Sequence, residues 1–154
     1  MVAVTLEHVT GDLFDLALPA LAHGCNCSGS MGGGIAVSFR AVDERMYREY
    51  AARCRDGTFR LGDVMPWELE DGRVVYNLAT QQRPGRDARL DAIATSVAAM
   101  LVDAEARGLD RVGVPRLGAG IGGLDWPEVE CVLVDAAAAS RVTLVVVSRP
   151  RGGR

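Results

Sequence analysis

Apolar positions along this chain alternate, cluster or recur every three to four residues, and the switches between these patterns mark its elements. Residues 2–9 alternate and are β-rich, which predicts a strand. Thr10-Gly11-Asp12 reads as a turn, since glycine and aspartate favour such backbone. The apolar, small-residue run 18–25 predicts a second strand, and residues 26–30 a polar loop. Ile35, Phe39, Val42 and Met46 recur at helical spacing and predict one helix from 34 to about 53. Two strands, 62–69 and 73–79, flank the hairpin turn Glu70-Asp71-Gly72. A polar loop containing Pro84 and Gly85 covers 81–86, and a long amphipathic helix over 87–107 is closed by Gly108. The remaining elements are a strand at 111–115, a helix at 125–139 and a strand at 141–147. Strands alternate with helices mainly in the second half, with a hairpin in the middle. That order predicts an α/β fold with a mixed central sheet and helices on both faces. The Arg/Gly/Pro-rich residues 148–154 are expected to form a disordered tail.

Two glycine-rich loops fall between strand and helix. The first is Met31-Gly32-Gly33-Gly34-Ile35-Ala36, at the start of the first predicted helix. Glycines there let backbone N–H groups approach a ligand closely, and the positive end of the helix dipole favours an anion. The second is Leu117-Gly118-Ala119-Gly120-Ile121-Gly122-Gly123-Leu124. The first loop is neither a Walker loop nor a Gly-x-Gly-x-x-Gly dinucleotide fingerprint. A glycine run read alone is equally a tight turn without a ligand. Two such loops facing one another at the C-terminal edge of a sheet suit a pyrophosphate better than a single phosphate.

Composition narrows the picture. The chain has 154 residues, which fits one domain with a real core. Its net charge of −3 implies no general affinity for nucleic acid or membranes. All 17 basic residues are arginine, so no lysine is available as nucleophile or Schiff base. No apolar run approaches the ~20 residues that span a bilayer, and no signal peptide is evident. Cys25, Cys27, Cys54 and Cys131 form no disulfide framework, which predicts reduced thiols in a cytoplasm. His23, Cys25 and Cys27 share one strand face but lack a fourth ligand, so no metal is expected.

Four motifs in order carry a family likeness: Gly11-Asp12-Leu13-Phe14, then Ala22-His23-Gly24-Cys25-Asn26, then residues 31–36, then Pro115-Arg116 followed by 117–126. Together they resemble the macrodomain family over residues 1–147. The likeness is to the branch holding the terminal ADP-ribose protein glycohydrolase, the bacterial DNA ADP-ribosyl glycohydrolase antitoxins and the yeast-type ADP-ribose-1''-phosphate phosphatase. The resemblance implies a three-layer α/β/α sandwich that binds ADP-ribose at the sheet edge, without a cofactor. It implies that Asp12 accepts a hydrogen bond from the adenine amino group, with Leu13 beside it. Gly32, Gly33, Gly34 and Ile35 would line the distal ribose and phosphate. Gly118, Ala119, Gly120, Ile121 and Gly122 would hold the diphosphate from the other side, and Asn26 the distal ribose hydroxyls.

This chain departs from that branch in two places. Thr80-Gln81 stands where the glycohydrolases carry Thr-Lys, and Gly122 stands where the protein-directed enzyme has an aspartate. A lysine–aspartate mechanism therefore does not carry over. What remains is a substrate-assisted hydrolysis of mono-ADP-ribosyl linkages, with Asn26 orienting the sugar and Gln81 holding water. The expected substrate is an ester on an acidic side chain, or an ADP-ribosylated DNA base. One alternative is a reader that binds without turnover. Another is a phosphatase using His23 and Asp125. His23 is otherwise a buried strand histidine, and Asp125-x-x-Glu128 otherwise a helix capping box. The expected partners are ADP-ribose and ADP-ribosylated macromolecules, bound by a monomer with no strong affinity for unmodified nucleic acid.

Overall fold

The computed structural model describes residues 5–150. Its elements are β1 (Leu6–Thr10), β2 (Ala20–Asn26), α1 (Ile35–Val42), α2 (Glu44–Asp56), β3 (Val64–Glu68), β4 (Val74–Gln81), α3 (Leu90–Ala106), β5 (Arg111–Val114), α4 (Trp126–Ala138) and β6 (Thr143–Ser148). The strands form one six-stranded sheet in the order β1-β6-β5-β2-β4-β3. All neighbours pair in parallel except the β3–β4 hairpin. The expected mixed sheet and three-layer α/β/α sandwich are therefore present.

The central strands are apolar on both faces because each face is covered by helices. Alternate residues of one strand enter different cores. Ala20, Ala22, Tyr76, Leu78, Leu144 and Val146 pack with Ile93, Val97 and Met100 of α3 and Leu133 of α4. Their neighbours Leu21, Val75, Ala79, Val145 and Val147 pack with Phe39 of α1 and Met46 and Tyr50 of α2. Gly113 of β5 makes room on the second face: a Cβ there would stand 2.4 Å from Leu18 Cδ1 and 2.8 Å from Leu13 Cδ1. The absent side chain is what seats the Leu13 segment over the sheet.

Most boundaries shift by one to three residues from the sequence reading, and three of the differences bear on the site. The single helix from 34 to 53 is two helices, broken at Asp43, whose backbone is extended (φ −154°, ψ 109°). Asp43 caps α2 by accepting from Arg45 N (2.9 Å) and is tied to β3 by Trp67 Nε1 (3.0 Å). Gln81 belongs to β4, not to the loop after it. Ser148, assigned to the tail, is the last residue of β6, pairs with Thr10, and accepts a hydrogen bond from Gly11 N. The predicted first strand begins at residue 2 and the tail ends at 154; positions 2–4 and 151–154 lie outside the described residues.

Candidate functional site

β2 and β5 are parallel neighbours, so the chain leaving each turns over the same sheet edge. The loop after β2 leads through Gly32–Gly34 into α1, and the loop after β5 leads through Gly118–Gly123 into α4. Between them lies a cleft in two parts. One pocket, of about 300 Å³, is lined by both glycine loops and by Asn26, Thr80 and Gln81. The other, of about 340 Å³, is lined by Asp12, Leu13, Phe14, Val147 and Arg149. Gly34, Ile35, Pro115 and Arg116 line both, which makes the two pockets one channel. Arg116 is the one charged side chain lining the first pocket.

The first loop is held from inside. Asn26 ends β2, is 8% exposed, and turns its amide back into its own loop. Its Oδ1 accepts from Ser28 N (3.0 Å), Ser30 N (3.2 Å) and the Tyr50 hydroxyl (2.9 Å), and its Nδ2 donates to Ser30 O (2.8 Å). The acceptor side of Asn26 is thus occupied by the protein. Only the second Nδ2 hydrogen is available to a ligand hydroxyl. Gly34 has φ 59° and ψ −144°, a backbone that side chains strongly disfavour, and no side chain caps the N-terminus of α1. The first N–H groups of α1 therefore face the cleft without an internal partner from a side chain.

The second loop folds on itself. Gly118 (φ +71°) accepts from Leu124 N at 2.8 Å, and Gly122 accepts from Ala88 N at 3.2 Å. A Cβ at Gly122 would stand 2.6 Å from Ala88 Cβ and 2.8 Å from Gly118 O, so position 122 has no space for any side chain. Gly120 is open on its Cβ side. Ile121 is 57% exposed and leans across to the first loop, with its Cδ1 3.7 Å from where a Cβ of Gly33 would stand.

At the far end of the first pocket, Gln81 spends its amide nitrogen on Arg83 O (2.6 Å) and Gly85 O (3.0 Å). That leaves its Oε1 to hold a water. Asp87, previously counted into helix α3, instead ties down this loop by accepting from Gln82 N and Arg83 N, both at 2.9 Å. In the other pocket, Asp12 is exposed and its Oδ1 accepts from Phe14 N (2.8 Å). Its second carboxylate oxygen is free for a donor such as an exocyclic amine.

Two residues named for catalysis do not reach the cleft. His23 is fully buried under α1, with its ring stacked on Phe39 at 3.9 Å. Its Nε2 donates to Asn77 Oδ1 (2.7 Å), because Asn77 Nδ2 already donates to Met65 O. Burial pushes its pKa down to about 4 despite that bond. His23 is a neutral core residue, not a proton carrier at the site. Asp125 is exposed, lines neither pocket and makes no capping hydrogen bond, so the capping box is not formed either. Cys25 lines the first pocket, but burial pushes its thiol well above the usual range, and Cys27 is pushed up to about 11. Neither is a thiolate nucleophile at neutral pH. Among the described residues no cluster of three or more His, Cys, Asp or Glu side chains could hold a metal, and no helix is long and apolar enough to cross a membrane.

Arg116, Tyr50 and Asp87 were missed by the sequence reading as parts of the site. Arg116 was visible inside a motif but had no pattern to distinguish it from the other arginines. Tyr50 and Asp87 act through contacts across 24 and 5 residues that no local pattern encodes.

Comparison with known proteins agrees with this geometry. The Macro domain family matches residues 22–133. The DNA ADP-ribosyl glycohydrolase of Mycobacterium tuberculosis is 30% identical over 151 residues, covering 96% of this chain and 43% of that protein. The chain thus spans under half the length of that relative. The human ADP-ribose glycohydrolase OARD1 is 28% identical over 148 residues, covering 92% of this chain and 90% of that protein. The solved macrodomain of Thermus aquaticus DarG superposes with a TM-score of 0.84 at 26% identity, covering 96% of this chain and all of that one.

Proposed function

The chain belongs to the Macro domain family, and from that premise we propose that it binds ADP-ribose and hydrolyses the bond joining its distal ribose to a modified macromolecule. The observation that carries this reading is the two-part cleft: glycine backbone on both walls, one cation where the parts meet, and a free carboxylate oxygen at the far end. Adenine fits the Asp12 end, the diphosphate fits the glycine walls, and the distal ribose fits the pocket of Asn26, Thr80 and Gln81.

The pocket at the distal ribose contains no carboxylate, imidazole or amine. Proton transfer there falls to the substrate and to water. Water oxygen bonds to the anomeric carbon as the sugar–ester oxygen bond breaks, through an oxocarbenium-like state. The water proton passes to a ligand phosphate oxygen or to solvent, and the electron pair leaves with the carboxylate. An ester on an acidic side chain suits this site best, because a departing carboxylate is a weak base and needs no general acid. A modified DNA base is the second linkage, consistent with the name of the mycobacterial relative. In this reading the protein works as a cytoplasmic monomer with reduced cysteines and has no grip on unmodified duplex DNA.

The lack of a protein acid or base equally favours a reader that binds ADP-ribose without turnover. The phosphatase reading built on His23 and Asp125 loses both of its groups. Incubation with ADP-ribose esterified to a peptide glutamate, and with an ADP-ribosylated oligonucleotide, separates the two that remain. Release of ADP-ribose from either substrate supports hydrolysis; saturable binding without release leaves the reader.

A further inference from the structure

We propose that Arg116 makes this cleft selective for ligands that carry negative charge at their middle, between an adenine nucleoside and a second sugar. The inference rests on the ADP-ribose reading and adds to it a residue that sets which ligands fit. A ligand that fills both pockets must pass Gly34, Ile35, Pro115 and Arg116, the residues common to the two. Pro115 has no N–H. Gly34 and Ile35 offer the uncapped N-terminus of α1. Arg116 offers the one full positive charge at that crossing. Two independent donors of anion affinity, a helix start and a guanidinium, therefore converge on the part of ADP-ribose where its diphosphate lies.

The state of Arg116 supports this role. Its guanidinium carbon sits 4.8 Å from the centre of the Trp126 ring, at the start of α4. Arg116 is exposed, and the ring braces the guanidinium by its face, a contact that does not use its N–H edge. Two other arginines, one against a ring and one on a strand, spend their charge internally. Arg40 lies over Tyr47 but pairs with Glu44 at 3.6 Å, and Arg111 pairs with Glu7 at 3.2 Å. Among the described residues Arg116 forms no such ion pair. Its guanidinium rests against a ring and has no carboxylate partner, so its charge is free to meet a phosphate.

The test is calorimetry of ADP-ribose, AMP and adenosine against the wild-type chain and the variants Arg116→Gln, Arg116→Lys and Trp126→Leu. Arg116→Gln is expected to weaken ADP-ribose about tenfold or more, the loss of one charge-assisted contact, while changing adenosine less than about twofold. AMP should fall in between. Arg116→Lys should recover part of the loss, and Trp126→Leu should produce a smaller one. The dependence of ADP-ribose affinity on salt should flatten in Arg116→Gln. Unchanged ADP-ribose affinity in folded Arg116→Gln would overturn the proposal, as would equal fractional losses for adenosine and ADP-ribose. A wild-type chain that binds adenosine and ADP-ribose equally would overturn it too. A wild-type chain that binds no ADP-ribose at all would remove the underlying reading, a different result from wild-type binding that survives the substitution.

Discussion

The two glycine loops look alike in sequence and differ in what their glycines are for. In the first, Gly32 and Gly33 meet nothing closer than a side-chain atom at 3.4 Å, and only Gly34 has a backbone that excludes side chains. The loop keeps its shape through Asn26 and Tyr50, which lie outside the glycine run. In the second, Gly118, Gly122 and Gly123 are required by the loop itself: two have positive φ, and Gly122 is enclosed by Ala88 and Gly118. Only Gly120 faces open space. A glycine-rich loop is therefore not a uniform ligand cradle. Some positions are empty for the ligand and others are empty for the chain.

The sharpest way to break that distinction is substitution by glutamate. Gly33→Glu and Gly120→Glu have room for the new side chain and should keep the fold, yet bring bulk and negative charge against the phosphates. Calorimetry should show ADP-ribose affinity reduced by about 100-fold or more from a wild-type value near micromolar, with Tm essentially unchanged. Gly122→Ala, by contrast, should cost about 1–3 kcal/mol of stability through overpacking, read from denaturant unfolding. If the two classes behaved alike, the division between ligand glycines and structural glycines would be lost.

Asn26→Ala tests whether the first loop is held from outside its glycines. It strands the backbone N–H groups of Ser28 and Ser30, while the Tyr50 hydroxyl keeps the Asn26 carbonyl as acceptor (2.7 Å), and should cost about 2 kcal/mol of stability. It should also lower turnover more than ADP-ribose affinity, because the loop positions the sugar. Steady-state kinetics beside denaturant titration checks both. An equal loss in the two would place Asn26 in uniform binding only.

A pH titration probes the layer beneath both loops. His23 has a folded pKa of about 4 against an ordinary value of 6.5, so the native state favours neutral imidazole. The stability tied to this group is present above pH 6.5 and is lost as pH falls toward 4. Between pH 7 and pH 5 the loss should be about 2 kcal/mol. Urea unfolding across that range measures it, and a His23→Gln chain should show a shallower slope.

Gln81→Ala should have the smallest effect, lowering turnover less than about fivefold, because a neutral amide can orient water but not take its proton. Release of ADP-ribose from an esterified peptide reports it. A much larger loss would mean that the strut from Gln81 to Arg83 and Gly85, not the held water, is what the distal pocket needs.

Most of the architecture was legible because it follows from local rules. Alternation and apolar runs gave the strands, glycines gave the turns, and the order of elements gave the layers. The failures came where a contact distant in sequence overrides a local pattern. The apolar spacing through Ile35, Phe39, Val42 and Met46 continues as if one helix ran on, but the Trp67 indole holds Asp43 out of helical backbone. Asp125 and Glu128 have the spacing of a capping box, yet no capping bond forms. His23 and Asn26 are polar residues in one strand motif, and nothing in the sequence says that the first is sealed in the core while the second turns back into its loop. Burial of a single polar side chain depends on what packs over the strand, here Phe39 and Tyr50.

Ile121 carries one further consequence. Its side chain reaches from the second loop to the first across the mouth of the cleft, largely in solvent and without a core of its own. A ligand with a bulky group at each end is expected to displace this side chain on the way in and again on the way out. Such a latch lengthens residence time and slows association together, leaving the equilibrium nearly where it was. Ile121→Ala is therefore expected to speed association and dissociation of ADP-ribose together, read by stopped-flow, with Kd little changed.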